Sequence, residues 1–132
     1  QHIAQIIVAL ESTKWLVYKA ATIRQHLQIY LSTLKREADR WIFKINRKNK
    51  KYSDLRNECD RLSAIAKYYA TNASVDVTNR SVQIFGAEGY KKTSRVARHF
   101  LDSRATTIYE GANEVLELKI ASEILGNEYR AY

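Results

Sequence analysis

From Ile3 onward, apolar residues return every third or fourth position: Ile3, Ile7, Leu10 and Val17 form one series, and Leu16, Ala20, Ile23, Leu27, Tyr30 and Leu34 another. That is the period of a helix, on which residues three and four apart share a face. Neither glycine nor proline occurs between Gln1 and Phe85, so only the polar run Asn46 to Lys51 offers a turn, with Ser53 or Asp54 as the cap of the next helix. The pattern predicts two long helices folded as a hairpin. The second runs from about Ser53 to about Phe85 and shows Leu55, Leu62, Ile65, Ala66, Tyr69, Ala73, Val77 and Val82 along one side. Two short helices come after it, near Ser94 to Asp102 and near Asn113 to Leu125. No stretch alternates strictly between apolar and polar, so the expected fold is all-α, a helical bundle of two long antiparallel helices plus two short ones, with residues 1–132 as one domain.

All glycines except Gly126 fall between Gln83 and Leu118. Phe85-Gly86, after so long a glycine-free stretch, reads as the first helix stop. Gly111 makes the second break, preceded by Tyr109-Glu110 and followed by Asn113, a side chain suited to cap the run Val115 to Leu125. Glu110 then sits on a turn at the mouth of a helix, where a short loop can aim a carboxylate at a ligand; it is a candidate general base.

The stretch resembles the C-terminal signature of the acyl-CoA dehydrogenases, roughly Q-I-F-G-G-x-G-Y, then V-E-R-x-x-R-D, then I-Y-E-G-T-x-E-I. Here those positions read Gln83-Ile84-Phe85-Gly86-Ala87-Glu88-Gly89-Tyr90, Val96-Ala97-Arg98-His99-Phe100-Leu101-Asp102, and Ile108-Tyr109-Glu110-Gly111-Ala112-Asn113-Glu114-Val115. Gln1 to Ala21 adds a weaker match to the family's preceding helix. The resemblance implies an FAD-dependent enzyme in which a glutamate takes the α-proton of an acyl-CoA thioester while the β-hydrogen leaves as hydride. It assigns that base to Glu110, substrate contacts to Tyr109 and Gly111, and cofactor contacts to Gln83, Ile84, Phe85, Gly86 and Ala87, the turn that meets the FAD pyrophosphate of a neighbouring subunit. Ala112, Asn113 and Glu114 stand at a further cofactor contact, and Gln1 matches a glutamine that closes the family's R-x-x-F-G segment.

The chain departs from the pattern at several places, including the following three. Ala87 replaces a second glycine, Ala112 replaces a threonine whose hydroxyl bonds the cofactor, and Leu101 replaces an arginine. The family also has an N-terminal helical domain, a middle β-barrel and a four-helix C-terminal bundle. Against that plan this chain matches most of the bundle only, lacks the bundle's first helix, and carries a longer connection across Thr22 to Ser63. The expectation is a fragment inactive by itself. An electron-transferring flavoprotein as partner and assembly into a homodimer or homotetramer are implied as well, with Trp15, Leu16, Ile23, Leu27, Ile65 and Tyr69 on the apolar surface that a partner covers.

Composition changes this picture in one respect. At 45% hydrophobic residues the chain is globular. Its net charge of +8 is concentrated in Lys35, Arg36, Arg40, Lys44, Arg47, Lys48, Lys50 and Lys51, opposed only by Glu37 and Asp39. Such a cluster suits phosphate contacts, so the alternative function is a DNA-binding helical module akin to the alkylation-response members of the same family. Trp15 and Trp41, with nine tyrosines, read as core and interface packing. Cys59 is the lone thiol and His2, His26 and His99 share no ligand spacing, so no metal site is expected. Neither a leader nor a membrane-spanning run is apparent, and the expected setting is a reducing, cytoplasmic one.

Overall fold

The computed structural model describes residues 1–37 and 49–126. Among the described residues there are four helices and no strand: α1 (His2–Glu37), α2 (Lys50–Tyr90), α3 (Arg95–Thr106) and α4 (Asn113–Leu125). The other three pack on α2, which is the spine of the bundle.

α1 and α2 form the expected antiparallel hairpin. Arg80 donates to the Gln5 side chain at one end, and Asn49 Nδ2 donates to Tyr30 Oη at 3.1 Å at the other. Between these ends Ala20, Leu62 and Ala66 are buried together, with Leu16 and Ile23 packed alongside. Small side chains at the seam let the two backbones approach closely. The hydroxyls on α1 cause no conflict, because Thr13 and Thr22 donate to carbonyls four residues back at 2.7 and 2.9 Å.

The helix ends differ from expectation for local reasons. Asn49 caps α2, its side chain accepting from the Tyr52 N–H at 3.3 Å. Ser53 already donates its own N–H to the Asn49 carbonyl at 3.0 Å and is inside the helix, so neither it nor Asp54 serves as cap. α2 does break at Gly86, with φ 56° and ψ −139°, but a further turn carries it to Tyr90. Gly89 makes that turn possible, since a Cβ there would stand 2.9 Å from the Val82 carbonyl oxygen. Ser94 caps α3 by accepting from the Val96 N–H at 3.2 Å, and the helix continues past Asp102 to Thr106.

Among the described residues few side chains are buried. The apolar core consists of Ala20, Cys59, Leu62, Ala64 and Ala66, while Trp15 is 73% exposed and Ile3, Val8, Leu101 and Ile124 are exposed as well. Trp15 is therefore not a core residue of this chain, and Trp41 lies outside the described residues. Of the surface expected to be open, Leu16 and Ile23 turn inward because their face of α1 meets α2; Leu27 and Ile65 are half-buried and Tyr69 is exposed. No described helix is long and apolar enough to cross a membrane.

Candidate active site

Glu110 lies on the turn between α3 and α4, and the turn is closed by backbone. The Asn113 N–H donates to the Thr107 carbonyl at 3.0 Å, so five residues, Ile108 to Ala112, bulge between two tied ends. Both ends are buried: Thr107 is 7% exposed and so is Asn113. Ile108, Tyr109, Glu110 and Gly111 face outward.

Within the bulge the backbone takes a form that side chains resist. Glu110 has φ 52°, the only positive φ among the described non-glycine residues, and Gly111 has φ 98°. A left-handed conformation brings Cβ against the following carbonyl, a cost of roughly 1–2 kcal/mol that glycine escapes. Such residues persist where surrounding contacts fix them, and they collect at ligand sites.

Those contacts come from α2. Lys67 Nζ donates to the Gly111 carbonyl at 2.6 Å and to Asn113 Oδ1 at 3.3 Å. Thr71 Oγ1 lies 3.0 Å from the same Oδ1, and Asn113 Nδ2 donates to Asn72 Oδ1 at 3.1 Å. Further along α4, Tyr68 Oη donates to Glu117 Oε1 at 2.6 Å. That hydrogen bond raises the Tyr68 phenol above its ordinary value, since the carboxylate favours the protonated donor. Asn113 is consequently not the N-cap the sequence suggests. Ala112 holds that position without a side-chain bond, and Asn113 is the first helical residue, its amide committed to α2.

The residues assigned to the site form two groups. Tyr109, Glu110, Gly111, Ala112, Asn113 and Glu114 are together beside the middle of α2, whereas Gln83, Ile84, Phe85, Gly86 and Ala87 lie at its far end. A rise of about 1.5 Å per residue separates Thr71 from Gly86 by roughly 22 Å along the axis. Gln1 belongs with the second group, because Gln5, one turn later, meets Arg80. Lys67, Thr71, Asn72 and Thr107 were not singled out by the sequence. Their only signal is the polar group Lys67, Thr71 and Asn72 within an apolar-periodic helix.

The basic cluster from Lys35 to Lys48 lies outside the described residues or has undescribed side chains. Of its remainder, Lys50 opens α2 and Lys51 Nζ stands 5.0 Å from the centre of the Tyr30 ring. Among the described residues no group of three or more histidine, cysteine or acidic side chains converges as metal ligands do.

Fold and turn together define an α-helical domain that presents a carboxylate on a strained, anchored connection between two helices. A family model described as acyl-CoA dehydrogenase, C-terminal domain, matches residues 25–125, and the chain belongs to this family. It is 35% identical over 121 residues to a short-chain specific acyl-CoA dehydrogenase of Clostridium acetobutylicum, an alignment covering 92% of this chain and 24% of that protein. It is 30% identical over 129 residues to the mitochondrial short-chain specific enzyme of Bos taurus, covering 98% of this chain and 24% of the relative. Over 53 residues it is 51% identical to the short-chain specific acyl-CoA dehydrogenase of Megasphaera elsdenii, covering 40% of this chain and 14% of that protein. The chain thus spans about a quarter of the length of the relatives that it matches almost end to end. No solved structure matches it.

The turn at Gly86 has features suited to a flavin nucleotide. Nothing lies within 4 Å of the place where a Cβ would stand on Gly86, and Ile84 and Phe85 beside it are 48% and 58% exposed. An open glycine turn lets backbone N–H groups reach a phosphate, and the exposed side chains leave apolar surface for a second molecule. At the start of α4 only backbone and the Glu114 carboxylate are offered, because Ala112 has no hydroxyl.

Proposed function

We propose that this chain is the C-terminal bundle of an FAD-dependent acyl-CoA dehydrogenase, an oxidoreductase that introduces the α,β double bond into an acyl-CoA thioester, with Glu110 as its base. The observation that carries the reading is the left-handed backbone at Glu110, on a turn tied at both ends. A glutamate with no task on an exposed turn gains nothing from that conformation.

The chemistry assigned to this chain is a single proton transfer. The thioester carbonyl acidifies the α-carbon, and the Glu110 carboxylate receives the proton as that C–H bond breaks and the C=C bond forms. FAD supplies the acceptor for the β-hydrogen, which leaves with its electron pair. Tyr109 and Gly111 flank the base on the substrate side, and the missing side chain of Gly111 lets the thioester come close to the backbone. The turn of Gln83, Ile84, Phe85, Gly86 and Ala87 would hold the pyrophosphate of a neighbouring subunit's FAD, and Gln1 would make a further cofactor contact. At the start of α4 the cofactor by the base would meet the backbone at Ala112 and Asn113 and the Glu114 carboxylate, because the Asn113 side chain is committed to α2. The separation of the two groups along α2 supports this division between cofactors.

The isolated chain is inactive on this reading, because the cofactor site needs surfaces outside it. Its exposed apolar faces are covered by copies of itself in a homodimer or homotetramer, and an electron-transferring flavoprotein reoxidises the complete enzyme. The test is Glu110→Gln in that enzyme: turnover of acyl-CoA falls by about 10²-fold or more while flavin stays bound. Retained turnover contradicts the assignment.

A further inference from the structure

We propose that Lys67 is the positioning residue for the Glu110 turn, an inference that rests on the reading of Glu110 as the base. Two successive residues of the turn, Glu110 and Gly111, have positive φ, so the conformation must be held from outside. The usual local device is missing, since Ala112 makes no side-chain cap bond to α4. The holding contact comes instead from the neighbouring helix. The Lys67 ammonium bonds the Gly111 carbonyl at 2.6 Å and Asn113 Oδ1 at 3.3 Å, gripping the carbonyl of the residue next to the base and the first residue of α4 together.

Helix electrostatics do not account for a lysine at this place. The N-terminal end of α4 carries partial positive charge and disfavours a cation. The Gly111 carbonyl, outside the helix ladder, accounts for it: a charged donor bonds such an acceptor about twice as strongly as a neutral one. Asn113 makes the grip rigid. Its side chain is buried, bonded to Asn72 and in reach of Thr71, and its N–H closes the turn on Thr107. Lys67 thus sets where the Glu110 carboxylate points without touching the reacting atoms.

The experiment compares Lys67→Met and Lys67→Arg, with Glu110→Gln as control, using the saturated acyl-CoA that the complete flavoenzyme turns over fastest. Misplacing a catalytic group by about 1 Å costs on the order of 10²-fold, so Lys67→Met lowers kcat by about that factor with KM unchanged. Lys67→Arg keeps a charged donor and stays within about tenfold of the parent. Independently of activity, amide hydrogen exchange across residues 107–113 of this chain speeds by about tenfold in Lys67→Met and not in Lys67→Arg. If Lys67→Met fails to fold, Lys67→Gln is read in the same way.

Parental kcat and exchange in Lys67→Met overturn the proposal, as does an equal loss in the methionine and arginine variants. Those results leave the base assignment standing as long as Glu110→Gln is inactive. Full turnover by Glu110→Gln overturns the base assignment and the proposal with it.

Discussion

Glu110 has a backbone that glycine would adopt without strain and a carboxylate that glycine lacks. Glu110→Gly should therefore stabilise the folded chain by roughly 0.5–1 kcal/mol, the relief of left-handed strain less the extra freedom glycine brings to the unfolded state. Glu110→Gln keeps the strain and should leave stability unchanged. Denaturant unfolding of both variants checks this, and a destabilised Glu110→Gly contradicts it. The glycines and Glu110 were legible in the sequence because a glycine in an otherwise glycine-free chain marks a special backbone. Asn113 was legible only in part. Its type and place fit an N-cap, but a cap must face its own helix, and a tertiary contact with Lys67, Thr71 and Asn72 claims its side chain.

Among the helices, periodicity predicts all four correctly, and their ends only approximately. The ends depend on which polar residue comes first in space, as at Asn49, and on close packing, as at Gly89 against Val82. The attachment of α4 to α2 was not legible, since the polar contacts that tie it join residues 41 to 49 positions apart. The Tyr68–Glu117 bond gives this attachment a pH dependence. The neutral phenol donates to the carboxylate, whereas a phenolate would repel it, so the folded chain holds the Tyr68 proton more tightly than the unfolded chain does. With the native value raised above 10.0, the bond's contribution is complete below that pH and is lost as pH rises through the raised value. Melting of the parent and Tyr68→Phe should differ at neutral pH and converge in strong alkali. A difference that persists unchanged would show that the phenol proton does not link the two helices.

Across the bundle as a whole, the decisive feature is how much apolar surface four helices leave uncovered. Among the described residues only small and medium side chains are buried and Trp15, Val17 and Tyr18 are open, so no described element covers that face of the hairpin. An interface of about 1,600 Å² is of standard size for a stable complex. The net charge of +8 opposes association, but at physiological salt its reach is about 8 Å, so packing should prevail. Sedimentation equilibrium at micromolar concentration should find a dimer or tetramer, and a monomer of 15.3 kDa throughout contradicts self-association. If the strained turn exists to hold a base, that base can be measured without hydride transfer, through exchange of the substrate's α-protons with deuterated solvent. The complete enzyme should exchange them, and Glu110→Gln should slow the exchange by about 10²-fold or more with flavin still bound. Exchange at the parental rate in Glu110→Gln would contradict the role of the turn.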